Sequence, residues 1–181
     1  MSDRMENMLA AYCAPVLLGK KPAALFARPD WWEEAAASGA LGRHGLHTFM
    51  FCRANKNSLI FVYNRGLLNA ALRHEAVSRY LIGIGYMPRD GVQSCLNRIA
   101  GRFGNSGEFP HEIGFFLGYP PEDVLGFIHH RNQGCKLCGL WKVYSDVDRA
   151  CGLFAEYERC KRVLLDYIRR GGSIARGGPW I

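Results

Sequence analysis

The chain has 181 residues, 49% hydrophobic and 22% charged, which is the balance of one ordinary globular domain. Its formal net charge of +7 is scattered, without a basic run interleaved with aromatic residues, so the sequence disfavours nucleic-acid binding. The N-terminus does not resemble a signal peptide and no apolar stretch is long enough for a membrane span, so we expect a cytoplasmic protein. The seven cysteines are an odd number, which argues against a disulfide framework.

Helices are predicted where apolar residues recur at helical spacing between capping residues, prolines and glycines. The longest, about Val147–Arg169, begins after a cap at Ser145 or Asp146 and ends before Gly171. The other predicted helices and helical turns are, in chain order, Arg4–Tyr12, Pro22–Phe26, Trp31–Ala37 with Asp30 as its cap, Leu67–Ile84, a helix from Asp90 to about Arg102, and a helix that opens with Pro120 and Pro121 and ends before Gly134.

Strands are predicted where β-branched and aromatic residues cluster. His47–Arg53 and Ser58–Tyr63 form a hairpin around the turn Ala54–Asn57, and Glu112–Leu117 and Leu137–Tyr144 are two further strands. The predicted fold class is therefore α+β, with a single mixed or antiparallel sheet of about four strands covered by helices.

The sequence contains no internal repeat and no composition change that marks a domain boundary. Residues 1–172 are therefore predicted to form a single α+β domain. Residues 173–181 are predicted to be a mobile tail, in which Trp180 is the side chain able to dock.

The segment Phe109–His130 combines histidine, acidic and tyrosine side chains with apolar residues. His111 and Glu112 do not begin a zinc-protease helix, because that motif requires a second histidine where this chain has Phe115. The ordinary pKa of histidine lies near neutrality, so His111 is a candidate general acid or base. The alternative is a histidine that only anchors a loop before a strand.

Cys135 and Cys138 have the spacing of a zinc knuckle and are followed by a glycine that permits a tight turn. A structural zinc site needs four ligands, and the knuckle supplies two. A zinc or iron site, a redox dithiol and simple free thiols all remain open. Cys151 also falls on the apolar stripe of the last helix, where a core position is the alternative. The candidate partner ligands are His129, His130, Cys151 and Cys160.

The predicted strand Leu137–Tyr144 alternates between two faces. Trp141 and Val143 share one face, and Lys142 and Tyr144 share the other. A lysine beside a phenol suits a phosphate or a carboxylate, and the alternative is a solvated strand face.

Four segments form a familiar pattern: CAPVLLGKKPAALF, FVYNRGLL, FPHEIGFFLGYPPEDVLGFI and WKVYSDVDRACGLFAEYERC. With them the chain resembles an uncharacterised bacterial family, domain-of-unknown-function family 3793 (DUF3793), found largely in anaerobes. The resemblance covers nearly the whole chain and carries no established activity. It implies one shared pocket built from polar residues of several segments, and it picks out Lys21, Tyr63, Arg65, His111, Glu112, Tyr119, Asp123, Trp141, Lys142 and Tyr144.

The first functional hypothesis is a pocket for an anionic small molecule or cofactor, such as haem or flavin, in which lysine and arginine supply positive charge. Should the protein be an enzyme, which the sequence does not decide, its candidate catalytic residues are His111, Glu112 and Tyr144. The predicted ligand-binding residues are Lys21, Tyr63, Arg65, His111, Tyr119, Lys142 and Tyr144.

Two other hypotheses remain open. One is a zinc or iron site formed by Cys135 and Cys138 with His129 and His130. The other is a module that binds a protein partner in anaerobic redox or metal metabolism, through the apolar segment FFLGYP.

Overall fold

The computed structural model describes residues 2–53, 56–105 and 109–177. It confirms an α+β fold with a small antiparallel sheet covered by helices. The elements in chain order are α1 (Asp3–Leu17), β1 (Ala23–Ala27), α2 (Trp32–Ala37), α3 (Ala40–Arg43), β2 (Leu46–Arg53), β3 (Lys56–Asn64), α4 (Arg65–Arg73), α5 (Glu75–Gly83), a 3₁₀ turn (Pro88–Asp90), α6 (Val92–Asn105), α7 (Ile113–Phe116), α8 (Pro121–His129), β4 (Leu137–Cys138), β5 (Lys142–Val143) and α9 (Val147–Arg169).

The main sheet has three antiparallel strands in the order β1-β3-β2. The predicted hairpin is confirmed as β2 and β3, although Ala54 and Asn55 of its turn lie outside the described residues. Side chains of the central strand β3 alternate between two cores, because successive residues of a strand point to opposite faces. Phe61 belongs to the core under α4–α8, whereas Ile60 and Val62 belong to the core under α1, α2, α3 and α9.

The long C-terminal helix α9 runs along α1 and has the predicted bounds. Of the two predicted caps, Ser145 and Asp146, it is the side chain of Asp146 that accepts a hydrogen bond from the backbone N–H of Arg149. Cys160 and Leu164 point from α9 into the core shared with α1. Within the described ranges, none of the helices combines the length and apolar character of a membrane span.

Two predicted elements have the wrong secondary structure. The sequence predicts a helical turn at Pro22–Phe26, but Ala23–Ala27 is strand β1, because its backbone pairs with β3 from Ala23 opposite Tyr63 onward. The sequence predicts a strand at Glu112–Leu117, but this segment contains the short helix α7, Ile113–Phe116. A short apolar run buried on all sides carries no periodicity that separates a strand from a helix.

The predicted strand Leu137–Tyr144 is instead a small hairpin of two two-residue strands, β4 and β5. The chain turns at Gly139, whose backbone N–H donates to the carbonyl of Trp141 at 3.0 Å. Trp141 and Val143, which were predicted to share one face, are both buried, whereas Lys142 and Tyr144 are half-buried.

Several helix ends also differ from the prediction. The expected helix Leu67–Ile84 is interrupted at His74 and forms α4 and α5. Helix α1 continues beyond Tyr12 and through Pro15 to Leu17, and the carbonyl of Pro15 accepts the backbone N–H groups of Lys20 and Lys21. Asp30 does not cap α2, since Trp31 occupies the cap position and no side chain makes the capping bond.

The segment predicted as a mobile tail packs against α1 over its first residues. The buried carboxylate of Glu6 accepts hydrogen bonds from the Ser173 hydroxyl at 2.5 Å and the Ile174 N–H at 2.8 Å. Ile174 is fully buried in the core beside α1 and α9. Trp180 and the rest of 178–181 lie outside the described residues.

Candidate functional site: two clefts that share Tyr119

Asp123, in the first turn of α8, holds the β4–β5 hairpin in place. Its buried carboxylate accepts the indole N–H of Trp141 at 2.8 Å, the backbone N–H groups of Tyr144 and Ser145 at 2.8 and 2.9 Å, and the Ser145 hydroxyl at 2.7 Å. Burial by itself would raise the pKa of Asp123, but these hydrogen bonds outweigh it and lower the pKa below its ordinary value. An acidic residue in the first turn of a helix complements the helix dipole, and in this structure its carboxylate also anchors the hairpin to α8.

The first cleft, which we call the apolar cleft, has a volume of about 350 Å³ and lies between the segment from Phe109 to Tyr119, α8 and the hairpin. His111 lies at its wall against the ring of Phe127, with centroids 4.9 Å apart. Lys142 also lines it, and its ammonium donates to the carbonyl of Asn132 at 3.0 Å. Most of the remaining wall is apolar or aromatic.

The second cleft, the basic cleft, has a volume of about 300 Å³. Lys20, His74 and Arg149 contribute basic side chains to it, and Tyr119 and Tyr157 contribute phenol rings. Among the described side chains that line it, none is a carboxylate. Tyr119 lines both clefts and is therefore their shared wall.

Lys21 lies beside this shared wall with an unusual set of neighbours. Its Nζ is 5.1 Å from the ring centroid of Tyr119 and 5.6 Å from that of Tyr157, both within the range of cation–π contacts. Trp141 stacks on Tyr119 with centroids 4.8 Å apart and completes the aromatic cluster. In the part of the chain that the structure describes, no acidic side chain forms an ion pair with Lys21. Burial lowers the pKa of Lys21 to about 8, against the opposing influence of Cys13.

Gly118 allows the loop before β1 to approach Tyr119 closely. Its φ is +74°, a backbone conformation that residues with a side chain rarely adopt. A Cβ atom at this position would lie 2.5 Å from the ring carbons of Pro22. The absence of a side chain at Gly118 therefore lets the Lys21–Pro22 segment pack against the turn that carries Tyr119.

The predicted ligand-binding residues are only partly brought together. His111, Tyr119 and Lys142 line the apolar cleft, and Lys21 lies next to Tyr119. Arg65 lines neither cleft.

Tyr63 and Tyr144 also lie outside the two clefts. Tyr63 is buried and stacks on His47, with centroids 5.4 Å apart. Tyr144 stacks on His130 at 5.6 Å, and its buried hydroxyl has no hydrogen-bond partner among the described residues. Burial raises the pKa of both phenols, so they remain protonated at neutral pH. The residues that the resemblance groups in one shared pocket are thus divided between the two clefts and positions outside them.

Glu112, a candidate catalytic residue, is buried away from both clefts. It accepts a hydrogen bond from the Tyr86 hydroxyl at 2.8 Å and pairs with Arg102 Nε at 2.6 Å. Burial and the neighbouring carboxylate raise the pKa of Tyr86 well above its ordinary range. This arrangement ties α6 to the segment before α7, which fits a structural role better than proton transfer to a ligand.

The predicted metal ligands do not form a cluster. Within the described residues, no three His, Cys, Asp or Glu side chains are placed to hold one ion. Cys138 is exposed and lines the apolar cleft, Cys135 is partly buried, and His129 and His130 are exposed at the end of α8.

The two cysteines of α9 differ in burial. Cys151, for which a core position was the alternative to a metal ligand, is exposed, and Cys160 is buried. The buried stripe of this helix runs through Ala150, Tyr157, Cys160 and Leu164, and Cys151 lies about 100° around the helix from Ala150.

Sequence reasoning did not single out the other residues of the basic cleft. Tyr157 belongs to the apolar stripe of α9, so its pattern indicates only a core position. Arg149 and His74 lie in ordinary surface positions, far apart in sequence. The one available signal was the pair Lys20-Lys21 before a proline, which marks a loop with concentrated charge.

The fold and the two clefts define a class of small α+β protein with a three-stranded antiparallel sheet between helical layers, one cleft beside a small β-hairpin and a second cleft that shares Tyr119 with it. The chain belongs to the family described as protein of unknown function (DUF3793), which matches residues 9–176. This membership confirms the resemblance noted in the sequence. Neither a curated protein nor a solved structure matches the chain.

Proposed function

We propose that the protein binds a compact anionic small molecule in the basic cleft. The observation that carries this proposal is the charge of the cleft: Lys20, His74 and Arg149 line it, and none of its described lining residues is acidic. Lys21 adds a positive charge beside the phenol rings of Tyr119 and Tyr157. Concentrated charge of one sign in a cleft attracts a ligand of the opposite sign.

The basic side chains of the cleft differ in whether an acidic residue already forms an ion pair with them. Lys20 is 3.3 Å from the carboxylate of Glu156, so part of its charge is already compensated. Among the described residues, the guanidinium of Arg149 makes no ion pair. Arg149 is therefore the side chain best placed to bind a carboxylate or phosphate with two parallel hydrogen bonds.

The apolar cleft suits an anion less well. The carboxylate of Asp123 lies in its wall, and the lowered pKa of Asp123 keeps that negative charge at neutral pH. Its single lysine, Lys142, is already hydrogen-bonded to a backbone carbonyl. His111 lines the apolar cleft and not the basic cleft, so a ligand in the basic cleft would bind without contacting His111.

The size of the basic cleft favours a small ligand. Its volume of about 300 Å³ is at the lower end of the range of ligand pockets. A compact carboxylate or phosphate compound fits this volume better than the extended ring systems of haem or flavin.

Calorimetric titration with inorganic phosphate, lactate and phenyllactate tests the proposal. We expect at least one of these probes to bind, with an affinity that falls as the salt concentration rises. Arg149→Ala should weaken that binding about tenfold, because it removes a charge-assisted hydrogen-bonding group.

Arg162→Ala is the matched control, since Arg162 is an exposed arginine of the same helix that lines neither cleft. It removes the same charge and should leave the affinity nearly unchanged. Absence of binding by all three probes, or equal weakening by both variants, would contradict the proposed site.

A further inference from the structure

We propose that Lys21 is a nucleophilic amine that forms an imine with a small oxo acid bound in the basic cleft. This inference rests on the proposed function and names the substrate class and the reacting atom. It is carried by the placement of Lys21 against Tyr119 and Tyr157, whose rings line that cleft.

The surroundings of Lys21 differ from those of an ordinary surface lysine. The side chain is half-buried, and two aromatic rings stand where a carboxylate partner would usually be. Its neighbour Lys20 is exposed and pairs with Glu156. The two adjacent lysines therefore have different environments: Lys20 is a charged surface group with an acidic partner, and Lys21 lies in an aromatic cluster.

The charged and titratable groups that face Lys21 come from three elements. Cys13 of α1 is fully buried, and burial raises the pKa of its thiol to about 12, so it brings no negative charge at neutral pH. Tyr157 of α9 has a pKa raised to about 12 and Tyr119 after α7 also has a raised pKa, both because of burial. Glu156 is engaged with Lys20 and, at 3.9 Å, with Arg159. Burial without an anionic partner favours the neutral amine and lowers the pKa of Lys21 to about 8, although the cation–π contacts with the two rings act in the opposite direction.

The neutral amine is the nucleophile in imine formation. Its nitrogen forms a bond to the carbonyl carbon of the oxo acid, and the carbonyl oxygen takes up a proton from solvent or from a neighbouring phenol. The nitrogen then releases its proton to solvent, and the carbinolamine loses its hydroxyl group as water. Amine and carbonyl thus give imine and water, without oxidant or reductant.

The same cleft provides a place for the acid group of the substrate. Arg149 and Lys20 line it together with the two phenol rings, so a carboxylate bound to them would hold its carbonyl group within the cleft, beside the two rings that Lys21 contacts. The apolar side chains of Val77, Phe115 and Leu153 line the rest and would accommodate a short hydrocarbon part.

The test is reductive trapping with sodium cyanoborohydride. The full-length protein is incubated with pyruvate or phenylpyruvate, and the reduced adduct is located by peptide mass spectrometry. We expect one adduct per chain, on Lys21. Its formation should be half-maximal near pH 8, whereas an exposed lysine requires a pH of about 10.

Lys21→Arg should abolish the adduct, and Lys161→Arg, the matched control at a lysine that lines neither cleft, should leave it in place. Circular dichroism of both variants verifies that they fold. The mapping and the pH profile on the unmodified sequence remain decisive even if Lys21→Arg does not fold. Adducts spread over many lysines, or an adduct with a half-maximal pH of about 10, would overturn the inference.

The hydroxy acids lactate and phenyllactate separate the two proposals, because they carry the same acid group without a reactive carbonyl. If they bind and the oxo acids are not trapped, the imine is wrong and the anion site stands. If phosphate, the hydroxy acids and the oxo acids all fail to bind or react, both proposals fail.

Discussion

The indole N–H of Trp141 donates a 2.8 Å hydrogen bond to the buried carboxylate of Asp123, and this contact joins the β4–β5 hairpin to α8. Trp141 also stacks on Tyr119 and packs edge-on against Phe154 at 4.5 Å. The Asp123–Trp141 bond therefore sets the position of the ring that both clefts share.

We expect Asp123→Ala to destabilise the fold strongly. The substitution leaves the Trp141 indole and the backbone N–H groups of Tyr144 and Ser145 without their acceptor, which we expect to cost about 3 kcal/mol in the free energy of unfolding. Chemical denaturation measures this cost. Asp148→Ala removes an exposed acid near the start of α9 and should cost about 1 kcal/mol or less. Equal losses in the two variants would show that Asp123 does not fasten the hairpin.

Asp123 should also make the fold sensitive to acid. Because the folded-state pKa of Asp123 is lowered, its contribution to stability is present above the unfolded value of 3.8 and is lost as the pH falls towards the folded value. Asp123→Asn should therefore lack this part of the loss of stability below about pH 4. Denaturant unfolding from neutral pH to acid measures it, with Asp148→Asn as the variant that should keep the dependence. If the stability of Asp123→Asn fell below about pH 4 as steeply as that of the unmodified protein, the lowered pKa of Asp123 would not account for the sensitivity to acid.

Glu112→Gln should weaken the buried contact with Arg102 and Tyr86. The carboxylate is buried, but the side chain of Arg102 is 41% exposed, so we expect a loss of about 2 kcal/mol, below the full cost of breaking a deeply buried pair. Glu75→Gln removes an exposed pair with Arg79 and should change the stability by about 0.5 kcal/mol at most. Thermal or denaturant unfolding compares the two. A small effect for both variants would argue against a structural role for Glu112.

Gly118→Ala should destabilise the protein and disturb the basic cleft. The positive φ and the approach of Pro22 both oppose a side chain here, and we expect a loss of about 1–3 kcal/mol. Gly152→Ala is the control, because Gly152 lies in α9, where a Cβ atom would meet nothing within 4 Å, and alanine there should stabilise by about 0.5–1 kcal/mol. In an unfolding assay, we expect the free energy of unfolding to fall in Gly118→Ala and to rise in Gly152→Ala. A neutral Gly118→Ala would mean that the loop before β1 does not pack tightly against Tyr119.

Local patterns predicted the elements whose signals lie within one segment. Helix α9 carries a cap, an apolar stripe and a glycine stop, and the hairpin β2–β3 carries two strand-like runs around a turn. Strand β1 and helix α7 were missed because neighbours distant in sequence decide them. The backbone of β1 becomes a strand by pairing with β3, and α7 is an apolar run enclosed on all sides.

The sequence by itself determined the α+β class, the net positive charge, the long capped helix and the likeness to DUF3793 across nearly the whole chain. Only the tertiary structure decided that Lys21 lies against Tyr119 and Tyr157, and that His111 and Lys142 face a different cleft. The physical reason is that capping and periodicity act within a few residues. A cleft, in contrast, is formed by segments that are distant in sequence, and its charge depends on which of their side chains the packing leaves without a partner.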